Sequence, residues 1–499
     1  MNLYSIFLKN IQLEKRVITE KTEYSYGEIY NFIENTSKII NKSKKNEKIL
    51  LVSNNFFSYL ILFYACSKLG KTFIPMNNSL SKNQILSICN FIKPDLIFFS
   101  SEYNFLNKYI KNKTYSDSNF FKNINLDINN KNVLDIKKLS NKYTNKDFIV
   151  TFSSGTTSTP KPILYTQKIK YKRYLHIKNL YKINKNDNIL LTSPVDHSLG
   201  QRILFLATLT GCNLIYLKKY NKKLLKKFIK NENISFTILS SNYVNLMKNE
   251  LLNKKIKIKK IVSAASTLSV KDKLDFKKKK IELYEMYGAA EIGTITNLST
   301  FNTKKEGSVG KILKNCDVRI LNENLRILKN KEIGQIACKT NLRLKNYYKS
   351  KKLTKETFIK NYFLTGDLGY KDNEDYLYFM SRKKDVIISS GENIYPSDIE
   401  REVLKFKNIS ECCAIGIPDK YFGEALFLIC VIKRKDKEIE TKLRNFLRNK
   451  LANFQQPLGY DFIDSLPKNR LGKVVKKEIR KIYIKKKLDL SKQIRKILN

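Results

Sequence analysis

The chain has 499 residues, more than one compact core usually holds, so we expect two or more domains. Hydrophobic residues make up 42% of it, which argues against wholesale disorder. The net charge of +50 comes from lysine spread along the chain, so we interpret it as solvated surface and predict no nucleic-acid partner. Only two histidines are present, which argues against histidine-rich metal catalysis.

The cysteines and apolar segments indicate a cellular location. Eight cysteines show no paired metal-ligand spacing, and Cys412 and Cys413 are adjacent, which suits neither a zinc site nor an ordinary disulfide. The first residues lack the layout of a signal peptide. The apolar run YLILFYAC (59–66) is too short to cross a bilayer. We therefore predict a cytoplasmic protein without a membrane span.

Strands and helices alternate through the first two thirds of the chain. Short buried strands are predicted at EKILLVS (47–53), KPDLIFFS (93–100), NDNILLTSP (186–194), ISFTILS (234–240) and IKKIVSAAS (258–266). Apolar helices follow the first and third of these strands and end at Gly70 and Gly211. This alternation predicts an α/β fold in which helices cover parallel sheets.

Two further regions depart from this alternation. Residues 100–147 are rich in Asn and Lys and weakly patterned, which indicates a surface excursion. From about residue 385 the elements shorten, which is typical of a smaller α+β domain. We place the joint near Arg382 and predict two domains, 1–382 and 383–499.

The stretch TFSSGTTSTPK (151–161) sets seven Ser and Thr hydroxyls around one glycine. It follows a predicted strand, and α/β proteins usually bind ligands at the carboxyl ends of strands. Hydroxyls and closely approaching backbone N–H groups suit phosphate oxygens. Pro160 stands where a Walker loop requires glycine, so this is not a Walker loop. Composition alone favours a flexible connector, so other segments must decide.

Four later segments contain polar residues beside predicted turns. They are LYEMYGAAEIG (283–293), YFLTGDLGY (362–370), SRKKDVIISSGENIYPSDIE (381–400) and LPKNRLGKVVKKEIR (466–480). The second predicts Asp367 in a tight turn between two strands, and the fourth sets Lys473 after Gly472 at the head of a basic helix. Each segment alone is weak evidence for a function. Together with the stretch at 151–161 they make five segments, whose order along the chain is specific evidence.

In this order the five segments resemble the adenylate-forming superfamily of acyl-CoA synthetases, peptide-synthetase adenylation domains and luciferases. The resemblance covers nearly the whole chain. It implies a large N-terminal domain of parallel-sheet αβαβα layers with a small β-barrel-like part, and a smaller mobile α+β C-terminal domain. It also implies activation of a carboxylic acid with ATP and Mg²⁺, followed by transfer of the acyl group to a thiol such as that of coenzyme A.

The resemblance assigns roles residue by residue. It implies ATP contacts from Ser153, Ser154, Gly155, Thr156, Thr157, Ser158 and Lys161 at the phosphates, Ala265, Ser266, Tyr287 and Gly288 at adenine, and Asp367 and Arg382 at ribose. Glu291 matches the acidic residue near Mg²⁺. Lys473 matches the catalytic lysine, whose charge steadies the reacting carboxylate and the α-phosphate without proton transfer.

Three further residues are matched to the acyl and thiol steps. His197 is assigned to the catalytic set at the mouth of the acyl pocket, although a lone histidine is more often structural. Lys384 lies where the C-terminal domain of the family pivots, and Gly391 would flank the incoming pantetheine of coenzyme A.

The chain departs from the family pattern at three positions. Ser158 and Pro162 stand where glycine is common, so we expect altered mobility of the phosphate loop with binding retained. Ala290 stands where threonine is frequent, so a hydroxyl contact to the α-phosphate is missing.

The preferred interpretation is an acyl-CoA or aryl-CoA ligase. The alternatives are an enzyme that loads a carrier protein or activates an amino acid, and a non-enzymatic binder. Asp196 in VDHS invites the amino-acid interpretation, but His197 falls where CoA ligases keep their pocket residue. The expected partner is a small carboxylic acid, either a medium acyl chain or an aromatic acid, and a homodimer is left open.

Overall fold

The computed structural model of the chain describes residues 2–42, 47–76, 80–109, 113–122, 141–153, 161–218, 220–252, 258–301, 304–469 and 472–485. Its helices are α1 (Leu3–Asn10), α2 (Tyr26–Asn41), α3 (Phe56–Leu69), α4 (Lys82–Ile92), α5 (Leu106–Tyr109), α6 (Asp117–Lys122), α7 (Gln167–Leu180), α8 (Ser198–Thr210), α9 (Lys222–Asn231), α10 (Ser241–Leu246), α11 (Lys248–Leu251), α12 (Val270–Lys278), α13 (Lys351–Thr357), α14 (Pro396–Val403), α15 (Ile439–Arg448) and α16 (Lys476–Lys485).

Its strands are β1 (Arg16–Ile18), β2 (Glu23–Ser25), β3 (Lys48–Val52), β4 (Thr72–Pro75), β5 (Leu96–Phe99), β6 (Lys113–Ser116), β7 (Asp147–Ser153), β8 (Lys161–Thr166), β9 (Asn188–Leu191), β10 (Asn213–Tyr216), β11 (Phe236–Ser240), β12 (Lys260–Ala264), β13 (Leu283–Ala289), β14 (Gly293–Ser299), β15 (Gly310–Ile312), β16 (Cys316–Leu321), β17 (Gly334–Thr340), β18 (Asn346–Tyr347), β19 (Phe358–Ile359), β20 (Tyr362–Lys371), β21 (Tyr376–Arg382), β22 (Ile387–Ser389), β23 (Glu392–Ile394), β24 (Ile409–Asp419), β25 (Gly423–Ile432) and β26 (Gly459–Phe462).

One sheet of the described residues has seven strands in the order β18-β8-β7-β4-β3-β5-β6. Its centre is parallel, because β3 pairs in parallel with both β4 and β5. A parallel sheet needs cover on both faces, which explains why strands such as KILLV are almost wholly apolar. The helix α3 covers one face and ends at Gly70, whose φ of 67° is left-handed. The predicted strand at 47–53 and the helix end at Gly70 are confirmed.

A second sheet has fourteen strands among the described residues, and its main path runs β16-β17-β20-β21-β15-β14-β13-β12-β11-β9-β10-β1-β2. The strands β9 to β13 are parallel neighbours, and α8 packs over them and ends at Gly211 as predicted. From β13 to β16 the strands are antiparallel. They extend the same sheet and do not close on themselves in the described residues, so the predicted β-barrel-like part is an open antiparallel extension.

The third sheet uses residues after 386. Its order is β23-β22-β25-β24, with β26 paired to β25. The helices α14 and α15 bury Ile399, Val403, Leu443 and Leu447 against this sheet in a core of their own. The arrangement of strands beside helices is the α+β architecture that the sequence predicted for this part of the chain.

The interpretation of residues 100–147 as a surface excursion is wrong for the part that the structure describes. The strand β6 pairs in parallel with β5 and so extends the seven-stranded sheet. Phe120 and Phe121 in α6 are buried against the main core. A four-residue edge strand carries too short a pattern to be read from sequence. Residues 110–112 and 123–140 lie outside the described part.

Candidate active site

Strand register brings Asp367 and Arg382 together. They lie directly opposite each other on the antiparallel strands β20 and β21. Nε of Arg382 lies 2.7 Å from Oδ1 of Asp367, and the Tyr287 hydroxyl donates to Oδ2 at 2.6 Å. Asp367 is only 4% exposed, and burial raises the pKa of its carboxyl while the charge of Arg382 lowers it. A carboxylate held in this way retains lone pairs for ribose hydroxyls.

The predicted tight turn around Asp367 is wrong. The strand β20 runs without interruption from Tyr362 to Lys371, and Asp367 lies inside it. Gly366 has a left-handed φ of 72°, and a Cβ built there would meet no atom within 4 Å. The glycine therefore marks an irregular point in one long strand, with open space where its own side chain would be.

The ends of β12 and β13 form the neighbouring surface, because these strands pair in parallel. Ala265 follows β12 with a φ of 74°, unusual for a residue with a Cβ, and the Ser266 hydroxyl is hydrogen-bonded to that of Ser241. On β13, a Cβ at Gly288 would lie 2.1 Å from the carbonyl oxygen of Gly293, so only glycine fits there. Tyr287, Gly288, Ala265 and Ser266 thus lie along one edge, as an adenine-binding surface requires.

A second carboxylate marks the other side of this edge. Glu291 lies in the turn between β13 and β14, and its Oε1 accepts a hydrogen bond of 3.1 Å from the Tyr347 hydroxyl. Nζ of Lys161 lies 5.8 Å from the centre of the Tyr347 ring. Burial, followed by the nearby charge of Glu291, raises the pKa of Tyr347. Lys161 and Glu291 therefore converge on one aromatic ring, although they are far apart in the chain.

Most of the hydroxyl-rich loop, residues 154–160, lies outside the described part of the chain. Ser153 ends β7 with its backbone opposite Lys161, and nothing is described of its side chain. The predicted phosphate contacts at Ser154, Gly155, Thr156, Thr157 and Ser158 lie outside the described residues. The structure describes the two residues that flank this loop, Ser153 at the end of β7 and Lys161 at the start of β8.

The residues present fit a magnesium ion held mainly by phosphates. Among the described residues no cluster of three or more His, Cys, Asp or Glu side chains could form a metal cage. Glu291 is half-buried, and in the same part of the chain it forms no ion pair with a lysine or arginine. Mg²⁺ commonly takes one or two protein carboxylates and completes its shell with phosphates and water. Glu291 suits that role.

Lys473 comes from the C-terminal part of the chain and lies near the Asp367–Arg382 pair, whose charges act on its pKa. Burial, then repulsion from Arg382, lowers the pKa of Lys473, while Asp367 and Asp385 raise it. Much of the residue is nevertheless exposed to solvent. The preceding Gly472 has a φ of 76°, and a Cβ there would lie 2.2 Å from Nδ2 of Asn242. The turn before α16 therefore touches the N-terminal part of the chain at a position that only glycine allows.

Lys384 and Gly391 lie in the segment that follows β21. Lys384 is in a short 3₁₀ turn (Lys383–Asp385) directly after β21. Burial lowers the pKa of Lys384, opposed by Asp385 and assisted by Arg382, Lys477 and Lys161. The turn is thus close to both the N-terminal and the C-terminal parts of the chain. Gly391 joins β22 to β23, is exposed, and has a φ of 83° with open space where a Cβ would be.

His197 precedes α8, and its backbone N–H donates to the carbonyl oxygen of Pro194. Its Nε2 lies 4.0 Å from Oδ2 of Asp196, and both side chains are largely buried. A Cβ at Gly200 would lie 2.1 Å from the Pro194 carbonyl oxygen, so the loop folds tightly onto the helix. The structure therefore fixes the position of His197, while its role in the acyl pocket stays a prediction.

Sequence reasoning did not find Tyr347 or Arg202. Tyr347 lies in the two-residue strand β18 and contacts Glu291 only through the fold. Arg202 lies in α8 beside Met286 of β13, and one more basic residue among 95 gives no signal in sequence. The signal that could have found Arg202 is its place as the one charged residue in the helix SLGQRILFLATLT.

The fold and these contacts define a class: an α/β nucleotide-binding enzyme in which a lysine from the C-terminal part of the chain lies near an Asp–Arg pair. The family model described as AMP-binding enzyme matches residues 10–348, and the model of the AMP-binding enzyme C-terminal domain matches residues 398–473. The first match covers more than half of the chain. The chain belongs to the AMP-binding enzyme family.

Curated relatives and solved structures are similar over most of their length. The chain is 25% identical to the 2-succinylbenzoate–CoA ligase of Bacillus pumilus over 438 residues, which is 86% of this chain and 87% of that protein. It is 23% identical to the long-chain-fatty-acid–CoA ligase FadD13 of Mycobacterium tuberculosis over 454 residues, 88% of each chain.

Two solved structures show the same fold. ATP-bound MatB from Rhodopseudomonas palustris has a TM-score of 0.87 at 20% identity and covers 97% of this chain and 99% of its own. O-succinylbenzoate coenzyme A synthetase (MenE) from Bacillus subtilis, in complex with ATP and magnesium, has a TM-score of 0.82 at 21% identity and covers 95% and 98%. In the described part of the chain, no helix is long and apolar enough to cross a membrane.

Proposed function

We propose that this chain is an acid–thiol ligase that makes acyl-CoA or aryl-CoA. In the first step a carboxylate oxygen attacks the α-phosphorus of ATP and pyrophosphate leaves. In the second step the sulfur of coenzyme A attacks the acyl carbon and AMP leaves. The observation that carries this proposal is the contact of Gly472 with Asn242, which places the adjacent Lys473 near enough to the Asp367–Arg382 pair for their charges to shift its pKa. A cation then lies where two anions must meet. Family membership and the two ligase relatives support it.

Each half of the site has a distinct task in the first step. Asp367, positioned by Arg382 and Tyr287, accepts hydrogen bonds from the ribose hydroxyls. Because the α-phosphate is attached to the ribose, these bonds also hold the α-phosphate in place. Lys473 offsets the repulsion between the carboxylate and the α-phosphate. Mg²⁺, with Glu291 as its protein ligand, supplies Lewis-acid stabilisation of the phosphates when bound. Lys161 adds a positive charge at the root of the hydroxyl-rich loop.

The second step requires coenzyme A to enter where Lys473 lies. We propose two domains, 1–382 and 383–499, joined at the turn that contains Lys384. Rotation there would withdraw Lys473 and bring the hairpin at Gly391 to the pantetheine arm. The exposed, open position of Gly391 leaves room for such an approach.

The decisive experiment is ATP–pyrophosphate exchange over a panel of carboxylic acids. We expect exchange with at least one acid, and CoA-dependent release of AMP with the same acid. Lys473→Ala should lower exchange by roughly 100- to 1,000-fold, the loss expected when a stabilising group is removed from a transition state. The matched control is Lys481→Ala, an exposed lysine on α16. A panel without any exchange contradicts the proposal, and exchange without CoA-dependent AMP release favours a carrier-protein or amino-acid substrate.

Location and assembly stay proposals. All eight cysteines are free thiols, which supports a reducing compartment such as the cytoplasm. Light scattering after gel filtration would test whether a second copy of the chain binds.

A further inference from the structure

Three basic side chains are gathered behind the candidate site. Lys170 and Arg173 lie on α7 and are 4% and 8% exposed, and Arg202 lies on the adjacent α8. The two arginines lower the pKa of neighbours in the group: after burial itself, Arg173 and Arg202 act on Lys170, and Arg173 acts on Arg202. No carboxylate forms an ion pair with any of the three in the described part of the chain.

The hydrogen bonds of the group leave strong donors unused. Nζ of Lys170 donates to Oε1 of Gln201 at 2.7 Å and lies 3.9 Å from the centre of the Tyr165 ring. Arg173 donates to the carbonyl oxygens of Leu342 and Ala290, both at 2.8 Å. Among the described atoms, Nη2 of Arg173 and Nε2 of Gln201 are buried without a partner. Buried donors without acceptors cost stability, so this arrangement calls for an anion.

Arg202 is the member of the group that a ligand can reach. It is half-buried, whereas Gln201 before it and residues 203–210 after it are buried. Its Nη1 lies 2.8 Å from Sδ of Met286, and a thioether is a weak acceptor. Burial, then repulsion from Arg173, lowers the pKa of Arg202 to about 10, which leaves the guanidinium charged at neutral pH. Its nearest polar contact is thus one that a carboxylate would readily replace.

The position of Arg202 relates it to the acid and not to the nucleotide. Met286 precedes Tyr287 on β13, and successive side chains on a strand point to opposite faces. The Tyr287 hydroxyl donates to Asp367 at the ribose end of the site. Met286 therefore lies on the opposite face of β13, and Arg202 of α8 contacts that face. The helix α8 that carries Arg202 begins directly after His197. The one nearby carboxylate in that loop, Asp196, is 4.0 Å from His197.

We propose that Arg202, with Lys170 and Arg173 behind it, binds a second anionic group at the far end of the acid. The substrate class is then a short carboxylic acid with a second carboxylate, aliphatic or aromatic. A long apolar chain is disfavoured because its end would cover the Arg202 guanidinium without an anion to pair with it. This inference rests on the proposed function, since it concerns the acid that the enzyme activates.

Pairs of acids with equal carbon number test the proposal. ATP–pyrophosphate exchange is measured with succinate against butanoate, adipate against hexanoate, and phthalate against 2-methylbenzoate. We expect kcat/KM for the preferred dicarboxylate to exceed that of its partner acid at least about tenfold. In Arg202→Met that ratio should fall roughly 100-fold, the cost of leaving a buried charge unpaired, whereas Arg202→Lys should keep most of it. Lys226→Met, on the exposed face of α9, is the matched control.

The outcomes separate the two proposals. Exchange that favours the monocarboxylates, or a ratio that Arg202→Met leaves unchanged, overturns the second-anion site and leaves the ligase proposal intact. No exchange with any acid, by wild type or control, overturns the proposed function itself. Thermal melting of both Arg202 variants shows whether a lost ratio reflects a lost fold, and Arg202→Lys retains the test if Arg202→Met fails to fold.

Discussion

The two ends of the candidate site are held in different ways. At the ribose end, Asp367, Arg382 and Tyr287 all lie on strands of one sheet, and register alone sets the first two opposite each other. At the other end, Lys473 lies in a turn before α16 that meets the N-terminal part of the chain at Gly472 and Asn242. The ribose end is therefore part of a folded core, whereas the lysine is placed by a contact between the C-terminal and N-terminal parts of the chain.

This difference suits a reaction in two steps. The nucleotide must stay bound while the acyl-adenylate forms and while its acyl group is transferred, so the contacts to the nucleotide belong on a rigid sheet. The cation is needed only for the first step under the proposed mechanism, so its contact can be weak. The four predictions that follow break or sharpen this contrast, from the largest expected effect to the smallest.

Gly472→Ala should break the lysine end alone. The new Cβ would lie 2.2 Å from Nδ2 of Asn242 at a left-handed φ, so the turn must move away and take Lys473 with it. We expect pyrophosphate exchange to fall roughly 100-fold, because small misplacement of a catalytic group has effects of that size. Thioester formation from supplied acyl-adenylate should change little.

Two comparisons control this variant. Asn242→Gly in the same background removes all three clashing side-chain atoms, including Cβ at 2.6 Å, and should restore part of the exchange. Gly423→Ala has a similar left-handed φ of 75° with only an ordinary 3.6 Å contact, so it should keep exchange near wild type. An equal loss in both glycine variants would mean that backbone strain and not the contact with Asn242 positions the lysine.

Asp367→Asn should weaken the ribose end in both steps. Loss of the charge removes the ion pair with Arg382 and weakens acceptance from ribose hydroxyls, so we expect KM for ATP to rise roughly 30-fold. The KM for supplied acyl-adenylate should rise by a similar factor. A variant that slowed only the first step would contradict the view that this end serves the whole reaction.

Gly288→Ala should destabilise the rigid end. Its Cβ would lie 2.1 Å from a backbone oxygen, which cannot rotate away, so the free energy of unfolding should fall by about 2 kcal/mol. Gly423→Ala, with strain but no clash, should cost about 1 kcal/mol. Urea denaturation measures both values. Equal losses would mean that the close approach at Gly288 relaxes in the variant.

The pH dependence of exchange should link the two ends. The pKa of Lys473 is lowered by burial and by Arg382 and raised by Asp367, and the charged form is the one that acts. Exchange should therefore decline at high pH, and in Asp367→Asn the decline should move to lower pH because an attraction that favours the ammonium is lost. Thioester formation from supplied acyl-adenylate should lack this decline. If the decline occurs at the same pH in Asp367→Asn as in wild type, the charge of Asp367 does not affect the pKa of Lys473.

Much of the fold could be predicted because its signals are local. Apolar runs ending in glycine gave α3 and α8 with their true ends at Gly70 and Gly211. A turn was predicted in the segment that contains Glu291, and Glu291 lies in the turn between β13 and β14. The short edge strand β6 and the uninterrupted strand β20 could not be predicted. Four residues form a strand, and a strand continues through a glycine, only when a neighbouring strand pairs with them.

The amino-acid sequence by itself determined which chemistry this chain could hold: the order of the motifs, the family they resemble, and the residue types at Asp367, Arg382, Glu291 and Lys473. Tertiary structure alone decided which of them meet. Tyr347 beside Glu291, Gly472 against Asn242, and Arg202 against Met286 join residues far apart in the chain. Such contacts depend on how the sheets and helices pack together, and the local sequence pattern does not identify which distant residue the packing brings into contact.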